Sequence, residues 1–393
     1  MYRELFLAVL DYQHAESYKE RAVVWILLII SLLIILLAAE MFTNAVEWFG
    51  LKLKLGSGAT GSILAAVGTA LPETMVPLVA IARRGGIGEA RAGEHVGIGA
   101  ILGAPFMLST LAMFVTGVAV LAYHKSRKRP IELRHDWRVF RRDLEYFLIC
   151  FAVALAAGFL PENQIGKLTQ IVLGAILLVA YGIYVYKTIK GESEHLEEPG
   201  RLHFACYIAN PVRKQVIAYR LRRTGGTHTH HVPLESIDPH MALVVIQLVV
   251  ALGLILVGAN FFVTQISIIS NALGMSALVL SLVIAPIATE LPEKFNSVIW
   301  IGQKKDTLAL GNITGAMVFQ SAFPVTVGLW FTDWDLTSDV HALYSAIITL
   351  VAGIYLLLLA YFKKHIEAWW LMVPVVLYLL FLASIIFDRR AAL

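Results

Sequence analysis

Ten apolar stretches of roughly 18–31 residues follow one another along the chain, near 22–46, 57–82, 92–122, 143–160, 164–187, 241–265, 274–301, 307–332, 340–362 and 367–387. A helix needs about 20 apolar residues to cross a bilayer, so each stretch is read as a membrane-spanning helix. The third is long enough to contain a break or a strong tilt. One substantial polar insert, 188–240, separates the fifth stretch from the sixth. Residues 1–21 mix Glu4, Asp11, Glu16, Lys19 and Glu20 with apolar positions, the pattern of an interfacial segment rather than a signal peptide.

Composition agrees with this pattern: 58% of residues are hydrophobic and 15% charged, which excludes a large soluble domain. The net charge of +4 does not point to nucleic acid, because the basic residues are distributed by side. Taken alternately, one set of loops carries 21 Lys and Arg, while the other set and the termini carry 8. The short 123–142 loop alone holds eight. The positive-inside rule therefore puts the 188–240 insert in the cytoplasm and both termini outside. The expected membrane is a prokaryotic plasma membrane. Cys150 lies in an apolar span and Cys206 in a polar connection, so no disulfide framework is expected.

The most informative chemistry is a repeat. Thr69-Ala70-Leu71-Pro72-Glu73 returns as Thr289-Glu290-Leu291-Pro292-Glu293, each copy inside an apolar stretch. Proline removes a helix hydrogen bond, and an ionisable group at membrane depth is by default a functional candidate. Downstream, Gly93-Glu94-His95-Val96-Gly97 falls opposite Gly311-Asn312-Ile313-Thr314-Gly315. Five spans per half make the second half enter from the opposite side. The expected fold is an all-α membrane protein of ten transmembrane helices, built as two inverted five-helix repeats with broken helices at the midplane. Its divisions are 1–21, a first repeat at 22–187, the 188–240 insert and a second repeat at 241–388.

Such inversion brings Glu73 and Glu293 face to face, where two carboxylates repel unless a cation or a proton joins them. Glu and Thr oxygens with freed carbonyls suit a hard cation. Calcium, which takes six to eight oxygens flexibly, fits best. A site that binds either a divalent or a monovalent ion yields antiport directly. No nucleophile–base pair or nucleotide motif suggests an enzyme, and no resident cofactor is expected. The anticipated partners are membrane lipid and the transported ions, Ca2+ with Na+ or H+.

At these motifs the chain resembles the calcium/cation antiporter superfamily, the sodium/calcium exchangers in particular. The resemblance implies a calcium site made by Thr69, Glu73, Thr289 and Glu293. It also implies flanking monovalent sites, and there the chain departs from the family. Serines expected in these sites are replaced by Ala70, Glu290, Ile98 and Ala316, the carbonyl positions fall at Ala66 and Pro286, and a deeper polar pair becomes Leu102 and Gln320. Ala66, Glu290 and Gln320 are thus the flanking cation or proton candidates. The implied function is exchange of Ca2+ for Na+ or another monovalent cation by alternating access. The alternatives are proton coupling and, from another class, a transport-dead sensor or scaffold.

Other residues invite roles. Glu94 and His95 read either as a proton relay or as a solvated pair. Glu40 and Asn44 read either as an access path or as an interfacial anchor. Lys294 is expected to point to another face or to water. The glycines of 93–103 and 311–320 suit close helix approach. In the insert, the tract Thr227-His228-Thr229-His230-His231 is a zinc or nickel candidate, and 202–208 with 215–221 form a candidate β-hairpin.

Overall fold

The computed structural model describes residues 18–52, 66–82, 87–127, 131–133, 137–191, 202, 239–273, 275–302, 304, 306–363 and 365–391. Most of the amino-terminal segment and of the 188–240 insert, including the histidine tract and the hairpin candidate, lies outside the described residues. The helices are α1 (Tyr18–Lys52), α2 (Ala66–Ala82), α3 (Ile87–Met107), α4 (Met113–Arg127), α5 (Trp137–Ala157), α6 (Gln164–Gly191) and α7 (Met241–Leu273). They continue with α8 (Ala277–Thr289), α9 (Leu291–Gly302), α10 (Asp306–Phe331), α11 (Val340–Phe362), α12 (Ala368–Met372) and α13 (Val375–Ala391).

Among the described residues, seven helical stretches are long and apolar enough to cross a membrane: 22–42, 93–125, 164–188, 241–272, 309–331, 340–362 and 368–387. The other three expected spans differ for visible reasons. The 57–82 stretch is described only from Ala66 onward. The 143–160 stretch becomes α5, which starts earlier and carries Arg138, Arg141, Arg142, Asp143 and Glu145 near its beginning. The 274–301 stretch is interrupted at Glu290 into α8 and α9.

The break foreseen in the third stretch is a five-residue π-helical segment, Leu108–Ala112, between α3 and α4. Thr110 Oγ1 and Ser109 Oγ both donate to the Phe106 carbonyl, helping to satisfy the backbone where the helical register changes. The expectation of a break at each Pro-Glu motif holds only in the second half. Helix α2 continues through Pro72 without interruption, as membrane helices do where the freed carbonyl is satisfied nearby.

Among the described residues the interior holds three apolar clusters, the smallest made by Ala38 and Phe42 of α1 with Ala251 and Ile255 of α7. Phe106, Phe140, Phe147, Phe151, Trp334 and Phe381 belong to the largest, which joins α3–α6 to α10–α13. A second gathers Val24, Leu28 and Ile35 of α1 with Phe262, Val263 and Ile266 of α7 and with residues of α2, α3 and α8. Helices α1 and α7 run against each other over much of their length. Their buried polar seam is short: Gln247 Nε2 donates to Asn44 Oδ1 at 3.0 Å and to the Met41 carbonyl at 2.8 Å. Asn44 is therefore a link between helices, while Glu40 is exposed. Outward positions such as Ile29, Leu33, Leu37, Val172, Ile176, Val179 and Val249 are exposed and apolar, a surface suited to lipid.

Backbone contact joins α3 to α8. A Cβ on Gly99 would lie 2.2 Å from the Leu278 carbonyl oxygen, and one on Gly103 would lie 2.2 Å from that of Leu282. Only glycine allows this approach. Ser281 Oγ adds a hydrogen bond to the Val96 carbonyl at 2.8 Å. The parallel expectation for the second glycine motif is not met among the described residues: none lies within 4 Å of a Cβ on Gly311, and the contact of Gly315 there is Tyr184 Oη at 3.7 Å.

The turns pair by face. Glu132–Leu133 forms a two-residue antiparallel bridge with Ile366–Glu367, in register Glu132↔Glu367 and Leu133↔Ile366. Elsewhere, Leu336 N donates to the Gly158 carbonyl, and Asp333 N donates to a Glu94 carboxylate oxygen. Glu94 thus ties the start of α3 to the turn after α10.

Candidate functional site

Glu73 on α2 and Glu293 on α9, the two carboxylates of the repeat, are buried at 4% and 0% exposure. Glu290, in the one-residue gap between α8 and α9, is also fully buried. Helix α10 bonds to both motif copies, Gln320 Nε2 donating to Glu73 Oε2 and Asn312 to the Glu293 carbonyl, so the two copies share one core. Glu73 Oε1 and Glu290 Oε1 accept no hydrogen bond among the described residues. A buried carboxylate oxygen without a donor carries a large desolvation penalty and suits a cation.

The gap at Glu290 follows from the sequence. Pro286 and Pro292 bracket it, and neither can donate a backbone hydrogen bond. The Glu290 amide donates to the Pro286 carbonyl at 3.2 Å and the Lys294 amide to the Glu290 carbonyl at 3.2 Å. Thr289, 3% exposed, donates its hydroxyl to the Ala285 carbonyl at 3.2 Å. Thr69 and Ala66 lie in α2, with side chains outside the described residues. Among the described residues no three His, Cys, Asp or Glu side chains form a metal cluster by themselves.

Lys294 corrects the sequence expectation. It is 7% exposed and turned inward, with Nζ 3.0 Å from Glu290 Oε2. The spacing explains this, because residues four apart share a helix face and a buried acid draws the ammonium to it. Nζ also contacts Met107 Sδ at 3.0 Å and the Pro286 carbonyl at 3.5 Å.

Two supports for the core come from the second glycine motif. Asn312 Nδ2 donates to the Glu293 carbonyl at 3.1 Å and to Ser297 Oγ at 3.4 Å, tying α10 to α9. Thr314 Oγ1 donates to Asp143 Oδ2 at 2.8 Å. Asp143 is a buried acid that sequence reasoning passed over. It also accepts from Tyr184 at 3.1 Å and from Arg142 at 3.1–3.2 Å. Its only signal was a carboxylate at the edge of an apolar stretch. His95 is half-buried beside Glu94, which is engaged by the turn after α10.

Residues 23–190 and 243–387 match the family described as sodium/calcium exchanger protein. The chain belongs to that family. Together with its seven candidate spans, this makes it an integral membrane protein. Among relatives of this exchanger family member, inner membrane protein YrbG of Escherichia coli (strain K12) is 23% identical over 332 residues, covering 84% of this chain and 87% of YrbG. Putative antiporter CaxA of Alkalimonas amylolytica is 40% identical over 81 residues, or 21% of this chain and 25% of CaxA. In fold, the chain is similar to the H+/Ca2+ exchanger CAX, with a TM-score of 0.66 at 15% identity over 99% of this chain and 90% of that one. The sodium-calcium exchanger NCX_Mj gives a TM-score of 0.52 at 18% identity, covering 91% and 97% of the two chains.

Proposed function

We propose that the protein is a secondary antiporter that exchanges Ca2+ for a monovalent cation by alternating access. The observation that carries this reading is that Glu73 and Glu293, from two copies of one motif, are both buried and both held through α10, by Gln320 and by Asn312. In this reading both carboxylates, with the Thr69 and Thr289 oxygens, take the divalent ion as substrate. The Gln320 amide orients Glu73 by holding one of its oxygens, which leaves the other for the cation. Asn312 fixes the backbone that carries Glu293.

The architecture proposed around this core is ten spans in two inverted repeats, 22–187 and 241–388. The pairing of turns supports the alternation of faces. The 123–142 connection bridges to the one following α11, whereas the turns after α5 and α10 meet each other. Both termini are then extracellular and the 188–240 insert cytoplasmic. The bacterial plasma membrane is the proposed location, supported by the name of the Escherichia coli relative. Helices α1 and α7 would move against the rest to switch access.

Sodium is one counter-ion and the proton the other. The proton reading is favoured by the replacement of hydroxyls expected near the core with Ala70, Ile98 and Ala316. The fold likenesses include an exchanger of each kind, named for H+ in one case and for sodium in the other. The deciding experiment is calcium uptake into proteoliposomes under an imposed sodium gradient or an imposed pH gradient, run beside Glu293→Gln. Uptake under either gradient, lost in the variant, is the expected result. No uptake under either by folded protein would sink the antiport reading in favour of a sensor or scaffold.

A further inference from the structure

Lys294 is a cation that the chain carries into its own core. Its ammonium has three donors, and three acceptors surround it: a Glu290 carboxylate oxygen, the Pro286 carbonyl and the Met107 sulfur. Carboxylate and backbone carbonyl are the groups with which a protein would hold a free monovalent cation. Pro286 is one of the two carbonyl positions where flanking monovalent sites were expected. Glu290 stands where a serine of such a site was expected.

Charge balance makes the arrangement specific. Glu73, Glu290 and Glu293 bring three negative charges when ionised, and Lys294 cancels one. The two that remain equal the charge of one divalent ion. Lys294 reaches Met107 at the end of α3 as well as Glu290, so its charge lies in the interior between helices and not on the outer surface of one. An ordinary i,i+4 surface pair would leave both groups in water, yet here Glu290 is fully buried and Lys294 nearly so.

We propose that Lys294 is a tethered cation which fills the monovalent subsite formed by Glu290 and the Pro286 carbonyl, so that no free ion is needed there while calcium occupies Glu73 and Glu293. The inference rests on the antiport reading and narrows it. One monovalent ion of the exchange cycle is replaced by a side chain, and the counter-ion binds elsewhere or displaces calcium directly.

The test is calcium counterflow by the full-length protein: vesicles loaded with unlabelled calcium take up radiolabelled calcium at one fixed pH, with sodium or choline as the only monovalent cation. Wild type should exchange in choline and gain nothing from sodium. Lys294→Ser should lose at least about tenfold in choline, because removing one partner of a buried pair strands the other charge. Sodium should restore it by occupying the subsite. Lys294→Gln, whose amide can still donate to Glu290, repeats the measurement with less disturbance of the fold. In Glu290→Gln/Lys294→Ser the acid that would hold sodium is gone, so sodium should no longer stimulate.

Lys294→Ser exchanging as well as wild type in choline would overturn the assignment. So would a loss in both lysine variants that sodium does not restore, or sodium stimulation that persists in the double variant. Absence of counterflow in the wild type would overturn the antiport reading and this assignment with it. Wild-type counterflow combined with an unchanged sodium response in the variants would overturn the assignment alone.

Discussion

The two Pro-Glu motifs began from nearly the same five residues and now do different jobs. The first sits on a continuous helix, and its Glu73 receives one amide hydrogen bond from another element. The second sits at a helix gap and holds two acids and a lysine, with an ion pair inside its own turn. The difference arises at two positions one helical turn apart, Ala70 against Glu290 and Thr74 against Lys294. An added buried acid requires an added cation. Repeated sequence therefore gives equal placement without equal chemistry.

The largest effects should come from the shared part of the comparison. Glu73→Gln and Glu293→Gln should each reduce calcium uptake by more than about 100-fold, since even outer-shell partners of a metal site cost 10–100-fold. A large loss in one and a small loss in the other, measured in proteoliposomes, would break the equivalence of the two carboxylates.

The glycine motifs offer the next contrast. Gly103→Ala should destabilise the protein by about 1–3 kcal/mol, because its Cβ would enter the Leu282 carbonyl. Gly311→Ala meets none of the described residues and should be neutral or stabilising by up to about 1 kcal/mol. Thermal unfolding in detergent measures both, and equal shifts would refute the asymmetry. Gln320→Leu removes the donor to Glu73 and should weaken calcium binding about tenfold, the low end of outer-shell effects. Isothermal titration against wild type reads it. The smallest effect belongs to the α1–α7 seam. A double-mutant cycle of Asn44→Ala and Gln247→Ala should give a coupling of about 0.6 kcal/mol, the usual scale for hydrogen bonds between membrane helices.

Much of this molecule was legible in its sequence because the bilayer leaves few choices. Apolar length announced the helices, and the cost of an acid at depth announced Glu73 and Glu293. Small residues four apart announced the contact made by Gly99 and Gly103. Gly311 and Gly315 carry the same spacing and make no such contact among the described residues, because spacing says that a helix can be approached closely and not that another helix does so. Lys294 was misread for a related reason. Its adjacency to Glu293 drew attention, whereas its partner is Glu290, one turn away on the same face. Asp143 was passed over because the apolar run began there, and a residue at such a boundary reads as belonging to water. Its three donors come from α5 itself, α6 and α10, a convergence that no single stretch of sequence displays.

The crossing of α3 and α8 also sets a depth. With carbonyls seated on Gly99 and Gly103 there is no layer of side chains to yield. A slide of one residue, about 1.5 Å along the axis, would carry those carbonyls off their glycines and towards residues that bear a Cβ. Helix α3 packs beside α2, which bears Glu73, and α8 leads across the gap into α9, which bears Glu293. The crossing therefore works as a ruler between the halves. It resists sliding between the helices beside Glu73 and those that lead to Glu293, two acids that lie 220 residues apart in the chain.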